Sequence, residues 1–239
     1  MNLREAIEQL GQVVEDIKQA VVVDDKTPLK NALALRDESV LIDRGESEFD
    51  VIVFGDLNRF KTLNDVHGHD AGDVAIRVVG ERISQTVIER WKAKAFRQSG
   101  DEFVILLRRD LIKRFLQETS AFAEILFTHR EESLKTAMSF GYAVSDGKTN
   151  FNDLLKRAEV ACQSAKNQGD GICIEWSKAI ERNALISFRE RCQNCGAKIN
   201  CDVPQQNAPG KLKRCPCCDE LLIRLPEKET RKATRRRNK

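Results

Sequence analysis

The sequence predicts an α/β domain over residues 23–176, preceded by an amphipathic helix and followed by a small metal-held module. Three observations lead there. Strand-like and helix-like stretches alternate from Val22 to about Trp176. Six of the eight cysteines crowd between Cys192 and Cys218. No apolar run approaches the length of a membrane-crossing helix. An apolar fraction of 41% beside a charged fraction of 32% fits a globular protein and not a disordered or membrane-embedded one.

Within residues 1–22, Leu3, Ile7, Leu10, Val14, Ile17 and Val21 fall at alternating spacings of four and three, the a/d seam of a coiled coil. A single amphipathic helix packed on its own domain gives the same pattern. Met1–Ala20 carries four acidic residues and lacks the basic start and apolar stretch of a signal peptide, so a cytoplasmic location without a membrane partner is expected. Val51-Ile52-Val53-Phe54 has the unbroken apolar character of a buried strand. Asp70–Trp91 reads as one helix, with Val74, Val78, Ile83 and Val87 near one face. Lys94–Gln98 and Phe103–Leu107 flank Ser99-Gly100-Asp101-Glu102, which predicts a hairpin. Asn152–Asn167 reads as a second amphipathic helix, ended by Gly169.

Residues 177–226 are expected to hold a connecting helix through Arg191 and then the cysteine cluster. Residues 227–239 contain seven Lys or Arg against two Glu, a basic tail predicted to be disordered. With a net charge of +3 for the whole chain, the remainder is near −2, so the body is not a basic surface built for nucleic acid.

Asp56 is read as the end of the Val51–Phe54 strand, and Asp101-Glu102 sits at the tip of the predicted hairpin. If these strands are neighbours in one sheet, three carboxylates converge at one edge. Clustered carboxylates repel, and a divalent cation is the usual reason to hold them together. Mg²⁺ shared between carboxylates and substrate phosphates is the arrangement of two-metal nucleotidyl transfer.

The residues around these acids resemble the GGDEF family of diguanylate cyclases. Asp56-Leu57-Asn58-Arg59-Phe60-Lys61, Asn64-Asp65, Gly68-His69 and Gly72-Asp73 are similar to its D-x-[DN]-x-F-K-x-x-N-D-x-x-G-H-x-x-G-D. Arg97-Gln98-Ser99-Gly100-Asp101-Glu102-Phe103 is similar to its R-x-G-G-D-E-F signature, with Ser at the first glycine. Asp24–Asn31, read as D-x-x-T-x-L-x-N, resembles the opening motif, with Pro28 for the usual Gly. Ser139-Phe140-Gly141-Tyr142-Ala143 and Ala165-Lys166 resemble the later S-x-G-x-A and A-K.

The resemblance implies an α+β palm-like domain with a central, mostly antiparallel sheet flanked by helices. It implies condensation of two GTP into cyclic di-GMP by a homodimer. Two Mg²⁺ ions, or Mn²⁺, would lie on Asp56, the carbonyl of Leu57, Asp101 and Glu102. Asp101 or Glu102 would take the proton from the attacking 3′-hydroxyl. Asn64 and Asp73 would read the guanine edge, since a carboxylate accepts from N1–H and the exocyclic amine of guanine and adenine offers no such pair. Lys61 and Lys166 would neutralise phosphate charge, beside Phe60, as pyrophosphate leaves. Gly100, with no Cβ, would let the hairpin approach the triphosphate.

Four departures qualify these expectations. Ser99 and Asn58 are small changes expected to leave activity intact. Gly169-Asp170-Gly171 stands where the family usually has G-R-N, placing an acid in the slot of an arginine; it lowers the expected GTP affinity unless the loop turns it outward. The family's inhibitory product site, R-x-x-D, is here Arg90-Trp91-Lys92-Ala93, so product inhibition through it is expected to be absent. His69, in the family's G-H turn, is read as ordering that loop.

Cys192, Cys195, Cys215 and Cys218 form C-x₂-C-x₁₉-C-x₂-C, the spacing of a closed four-thiolate zinc ribbon. Zn²⁺ would supply the folding energy that so short a segment lacks. A disulfide or redox role is the alternative, and Cys217 stands one residue from Cys218 as an equivalent ligand. The ribbon and basic tail suggest a protein or nucleic-acid partner. A catalytically weak GGDEF domain that binds GTP or cyclic di-GMP as a scaffold is the alternative to an active cyclase, and Asp170 is the residue that favours it.

Overall fold

The unbroken apolar run at Val51–Phe54 follows from its place in the fold. It opens β1 (Val51–Asn58), an interior strand buried on both faces. The computed structural model describes the backbone of residues 3–183, 185–191, 198–204, 213–214 and 221–223. The chain divides into two units, residues 1–177 and 178–239.

In the first unit the order is α1 (Leu3–Val21), α2 (Ala32–Asp43), β1, α3 (Phe60–His67), α4 (His69–Ile83), α5 (Glu89–Trp91), β2 (Lys94–Ser99) and β3 (Glu102–Leu107). Then come α6 (Ile112–Glu118), β4 (Ile125–His129), β5 (Glu132–Val144), α7 (Phe151–Lys166) and β6 (Cys173–Glu175). The sheet order is β2-β3-β1-β5-β4, all antiparallel, with β6 added parallel to β5. This is the α+β sheet flanked by helices that the resemblance implied.

Strand alternation divides the core. Val51, Val53, Leu57, Phe103, Ile105 and Leu107 cluster with Ala75, Ile76, Val79 and Ile83 of α4 and Phe115 of α6. Ile52, Phe54, Val104 and Leu106 cluster on the opposite face with Ala34 and Leu35 of α2 and Leu154, Ala158 and Cys162 of α7. Helix α7 lies close on the sheet because Gly141 faces it. A Cβ there would fall 2.0 Å from the Cys162 nitrogen and 2.3 Å from the Ala158 carbonyl oxygen.

Two expectations are corrected. Residues 70–91 are not one regular helix, because α4 opens into a π turn at Ser84–Ile88 before α5. Val79, Ile83, Val87 and Trp91 are all buried and repeat every four residues. That spacing exceeds the 3.6-residue α period, and the wider turn keeps it on one face. Val74 and Val78 are only half-buried. The connecting helix, α8 (Lys178–Asn183), stops well short of Arg191. Leu185–Arg191 is instead strand β7, paired antiparallel with β8 (Lys198–Pro204). The alternation of Ile186, Ser187, Phe188 and Arg189 has the strand period that a helix assignment overlooks.

The second unit also holds β9 (Lys213–Arg214), paired with β10 (Leu221–Ile223). Cys192, Cys195, Cys215 and Cys218, with the tail at 227–239, lie outside the described residues. Among the described residues no helix is long and apolar enough to cross a membrane.

Candidate active site

Antiparallel pairing of β1 with β3 sets Asp56 opposite Glu102, and the Leu57 N–H donates to the Asp101 carbonyl at 3.3 Å. The three acidic residues therefore meet at one sheet edge, as they must if the two strands are neighbours. Asp56 lies within β1, since the strand runs on to Asn58. Burial pushes its carboxyl up to about 6; Lys166 opposes the shift, and the charges of Asp101 and Glu102 add to it.

Lys166, at the end of α7, donates to the Leu57 carbonyl at 3.0 Å and forms an ion pair with Asp56. The Asp56 oxygen facing it is closed to solvent and accepts no well-angled hydrogen bond. Two of the expected metal ligands, Asp56 and the Leu57 carbonyl, are thus already aimed at one cation, an ammonium. Among the described residues no three His, Cys, Asp or Glu side chains close into an ion cage. A sparse oxygen set at a sheet edge nevertheless fits Mg²⁺, which takes one or two carboxylates together with substrate phosphates.

The hairpin turn brings two further details. Ser99, at the first glycine position, donates from Oγ to Glu102 at 2.6 Å and so orients that carboxylate. Gly100 has φ +43°, and a Cβ there would meet nothing within 4 Å. The space next to this backbone is therefore open.

Asn64 on α3 lies against α4 at Gly72, the residue before Asp73. A Cβ on Gly72 would fall 1.9 Å from the Asn64 Oδ1. That oxygen is buried and has no hydrogen-bond partner. Asp73 is partly exposed and accepts from Lys26 Nζ at 2.6 Å. Phe60 packs against the core, and Lys61 is exposed in the first turn of α3. His69 opens α4 directly after Gly68 (φ +85°), and His67 lies 3.6 Å from Glu132.

The opening turn is tied to the hairpin. Asp24 accepts from Thr27 Oγ1 at 2.9 Å and from Arg97 at 3.1 Å, in a pair whose side chains are only 10% exposed. Arg97 Nε in turn donates to the Gly100 carbonyl at 2.9 Å. Asn31 donates to the Val21 and Val23 carbonyls and accepts from the first amides of α2, which fastens the end of α1 to the same turn.

Asp170 is turned onto protein groups. It accepts from Asn58 Nδ2 and Arg59 Nη2, each at 2.5 Å. Burial pushes its carboxyl up, but these hydrogen bonds and the Arg59 charge outweigh burial and hold it below the usual carboxylate range. Arg59 itself adopts φ +56°, a strained position for a side-chain-bearing residue. A cavity of about 260 Å³ beside this pair is lined by Asn58, Arg59, Leu63, His67, Lys135 and Asp170, and by none of the three clustered acids. At the family's product-site position, Ala93 is buried and Arg90 faces Glu118 at 3.6 Å.

Sequence reasoning gave no role to Lys26, Arg59, Arg97 or Asp24. All four stood inside quoted motifs, and the signal for a role was an unpaired charge. An acid at position 170 demands a cation, but the sequence separation of 111 residues hides which one.

The comparisons with known proteins give a family and a fold. A family model described as "Diguanylate cyclase, GGDEF domain" matches residues 21–171. The chain is 32% identical over 165 residues to "Signaling protein YkoW" of Bacillus subtilis (strain 168), covering 60% of this chain and 19% of that protein. It is 30% identical over 180 residues to "Bifunctional diguanylate cyclase/cyclic di-GMP phosphodiesterase MucR" of Pseudomonas aeruginosa, covering 69% of this chain and 25% of that one. The chain thus spans a quarter or less of the length of these two relatives. In fold it is similar to the coiled coil and GGDEF domain of DgcB from Caulobacter crescentus, solved with c-di-GMP. The TM-score is 0.63 at 21% identity, with 72% of this chain and 94% of that chain covered.

Proposed function

The chain belongs to the GGDEF family of diguanylate cyclase domains, and from that membership we propose that it condenses two GTP into cyclic di-GMP with release of pyrophosphate, as a dimer. The observation that carries the proposal is the sheet edge where Asp56 faces Glu102, next to Asp101, with Lys166 on Asp56 and the Leu57 carbonyl.

Asp56, the Leu57 carbonyl, Asp101 and Glu102 would hold Mg²⁺ or Mn²⁺, which when bound supplies charge neutralisation at the transferred phosphate. The chain's own groups account for the rest. Asp73 and Asn64 accept from guanine, which fixes the base and with it the ribose. Lys166 and Lys61 draw the leaving pyrophosphate, and Gly100 leaves space for the phosphates. Asp101 or Glu102 takes the proton as the 3′-oxygen of one GTP bonds to the α-phosphorus of the other and the bond to pyrophosphate breaks. One protomer holds one GTP, so two protomers must face each other. The exposed edge of α1, with Ile7, Leu10, Val14, Ile17 and Val21 all open to solvent, suits pairing with a second copy.

The scaffold reading rested on Asp170. Its pairing with Arg59 and Asn58 satisfies that charge within the protein and supports the enzyme instead. The test is product identification after incubation with GTP and Mg²⁺. Cyclic di-GMP is expected from the wild type and none from Asp101→Ala. GTP binding without product would establish the scaffold.

The domain limits proposed are residues 1–22 for the dimerising helix, 23–176 for the cyclase, 177–226 for a zinc ribbon and 227–239 for a basic tail. In sequence, Cys192 and Cys195 fall between the paired strands β7 and β8, and Cys215 and Cys218 fall between β9 and β10. Two hairpins, each with a C-x₂-C at its connection, suit a four-thiolate Zn²⁺ site. Elemental analysis is expected to find one zinc per chain, lost in Cys192→Ser.

A further inference from the structure

The acceptors assigned to the base leave O6, on the edge where guanine and adenine differ, without a donor. Asp73 suits the N1–H and exocyclic amine and, as a carboxylate, cannot donate to O6; the unpartnered Asn64 Oδ1 is likewise an acceptor only. We propose that Lys26 is a specificity-determining residue that donates to guanine O6. This rests on the assignment of Asn64 and Asp73 as the base readers.

Lys26 Nζ already lies 2.6 Å from Asp73 Oδ1. Its backbone is held in place, since the Lys26 amide donates to Asp24 Oδ1 at 3.2 Å and the next residue, Thr27, is buried. Thr27 packs where Gly80 leaves room on α4; a Cβ on Gly80 would fall 2.6 Å from the Thr27 Cβ. The ammonium is thus delivered to Asp73 from a fixed turn, on a stem of four methylenes.

A carboxylate oxygen has two lone-pair positions, so Lys26 on Oδ1 leaves that oxygen able to accept a second donor. On guanine, N1–H lies between the exocyclic amine and O6. In a bidentate contact the oxygen accepting N1–H is therefore the one beside O6, and a cation bound to it reaches O6 without leaving Asp73. Adenine presents an amine at this position, which sets donor against donor. Lys26 then adds to the selection against ATP already expected from Asp73, because a site built to bond a substrate group rejects an analogue lacking it.

The test measures equilibrium binding of GTP and 6-thio-GTP to the full chain carrying Asp101→Ala, which holds turnover off. Sulfur at position 6 keeps both N–H donors and weakens the acceptor. Lys26→Met is expected to weaken GTP binding about tenfold, the scale of one charge-assisted hydrogen bond, and 6-thio-GTP binding by less than about twofold. Lys26→Arg is expected to retain most of the GTP affinity. Unchanged or tighter GTP binding in Lys26→Met overturns the proposal, as does an equal loss for both nucleotides. Asp73→Ala serves as the separate check, expected to weaken both nucleotides alike. If it weakens neither, the base-reading assignment itself falls, whatever Lys26 does.

Discussion

At the scale of single residues, the site is a set of charges that the protein alone does not fully balance. Asp56 shows this most directly. Burial and two neighbouring carboxylates push its pKa to about 6, although Lys166 lies against it. A carboxyl whose folded pKa is raised contributes stability that is complete below its unfolded pKa of about 4 and is lost as pH rises through the folded value. In metal-free protein, Asp56→Asn should therefore melt higher than wild type above pH 6. The difference should close as the pH falls toward 4, and thermal unfolding across that range checks it. An Asp56→Asn variant less stable than wild type at pH 8 would show that the Lys166 pair outweighs burial. Asp170 has the opposite character, because Asn58 and Arg59 hold its carboxyl below the ordinary range. The arginine expected at position 170 is replaced by an acid that meets an arginine across the loop.

At the scale of elements, helices and strands are placed so that their ends carry chemistry. Helix α7 delivers Lys166 because Ala158, Ala161 and Gly141 let it lie against β5 with almost no side chain between. Among the described residues, helix α1 buries no comparable face; Leu10 is 64% exposed and Ile17 57%. Changing both to Asp should abolish turnover and shift the protein to a monomer by light scattering, with the circular dichroism of the cyclase domain preserved. Unchanged activity in that variant would remove α1 from the mechanism. The elements legible in the sequence were those whose burial wrote a simple period. The run Val51–Phe54, the hairpin around Gly100 and the apolar stripe of α7 are cases of this. The π turn at Ser84–Ile88 was not legible, because a four-residue spacing falls between the two periods. Strand β7 was missed because its alternation is short and follows a true helix. For the site, the clustered acids and the proposed guanine readers, Asn64 and Asp73, stood in ordered motifs. Lys26 and Arg59 did not stand out, since their partners are distant in sequence and only the folded chain joins them.

At the scale of the whole molecule, the opening turn couples the parts. Asn31 ties the end of α1 to the turn, Asp24 holds Arg97, and Arg97 holds the Gly100 carbonyl, so the helix and the Gly100 hairpin share one hydrogen-bonded connection. Pairing of two α1 helices would set the distance between two such hairpins, each of which would serve half of the proposed reaction. The measurement that tests this account most directly is cyclic di-GMP formation from GTP and Mg²⁺ as a function of protein concentration. The account predicts cyclic di-GMP as the product, with activity per chain rising with concentration until dimers saturate. Bound GTP with no cyclic di-GMP at any concentration would contradict it.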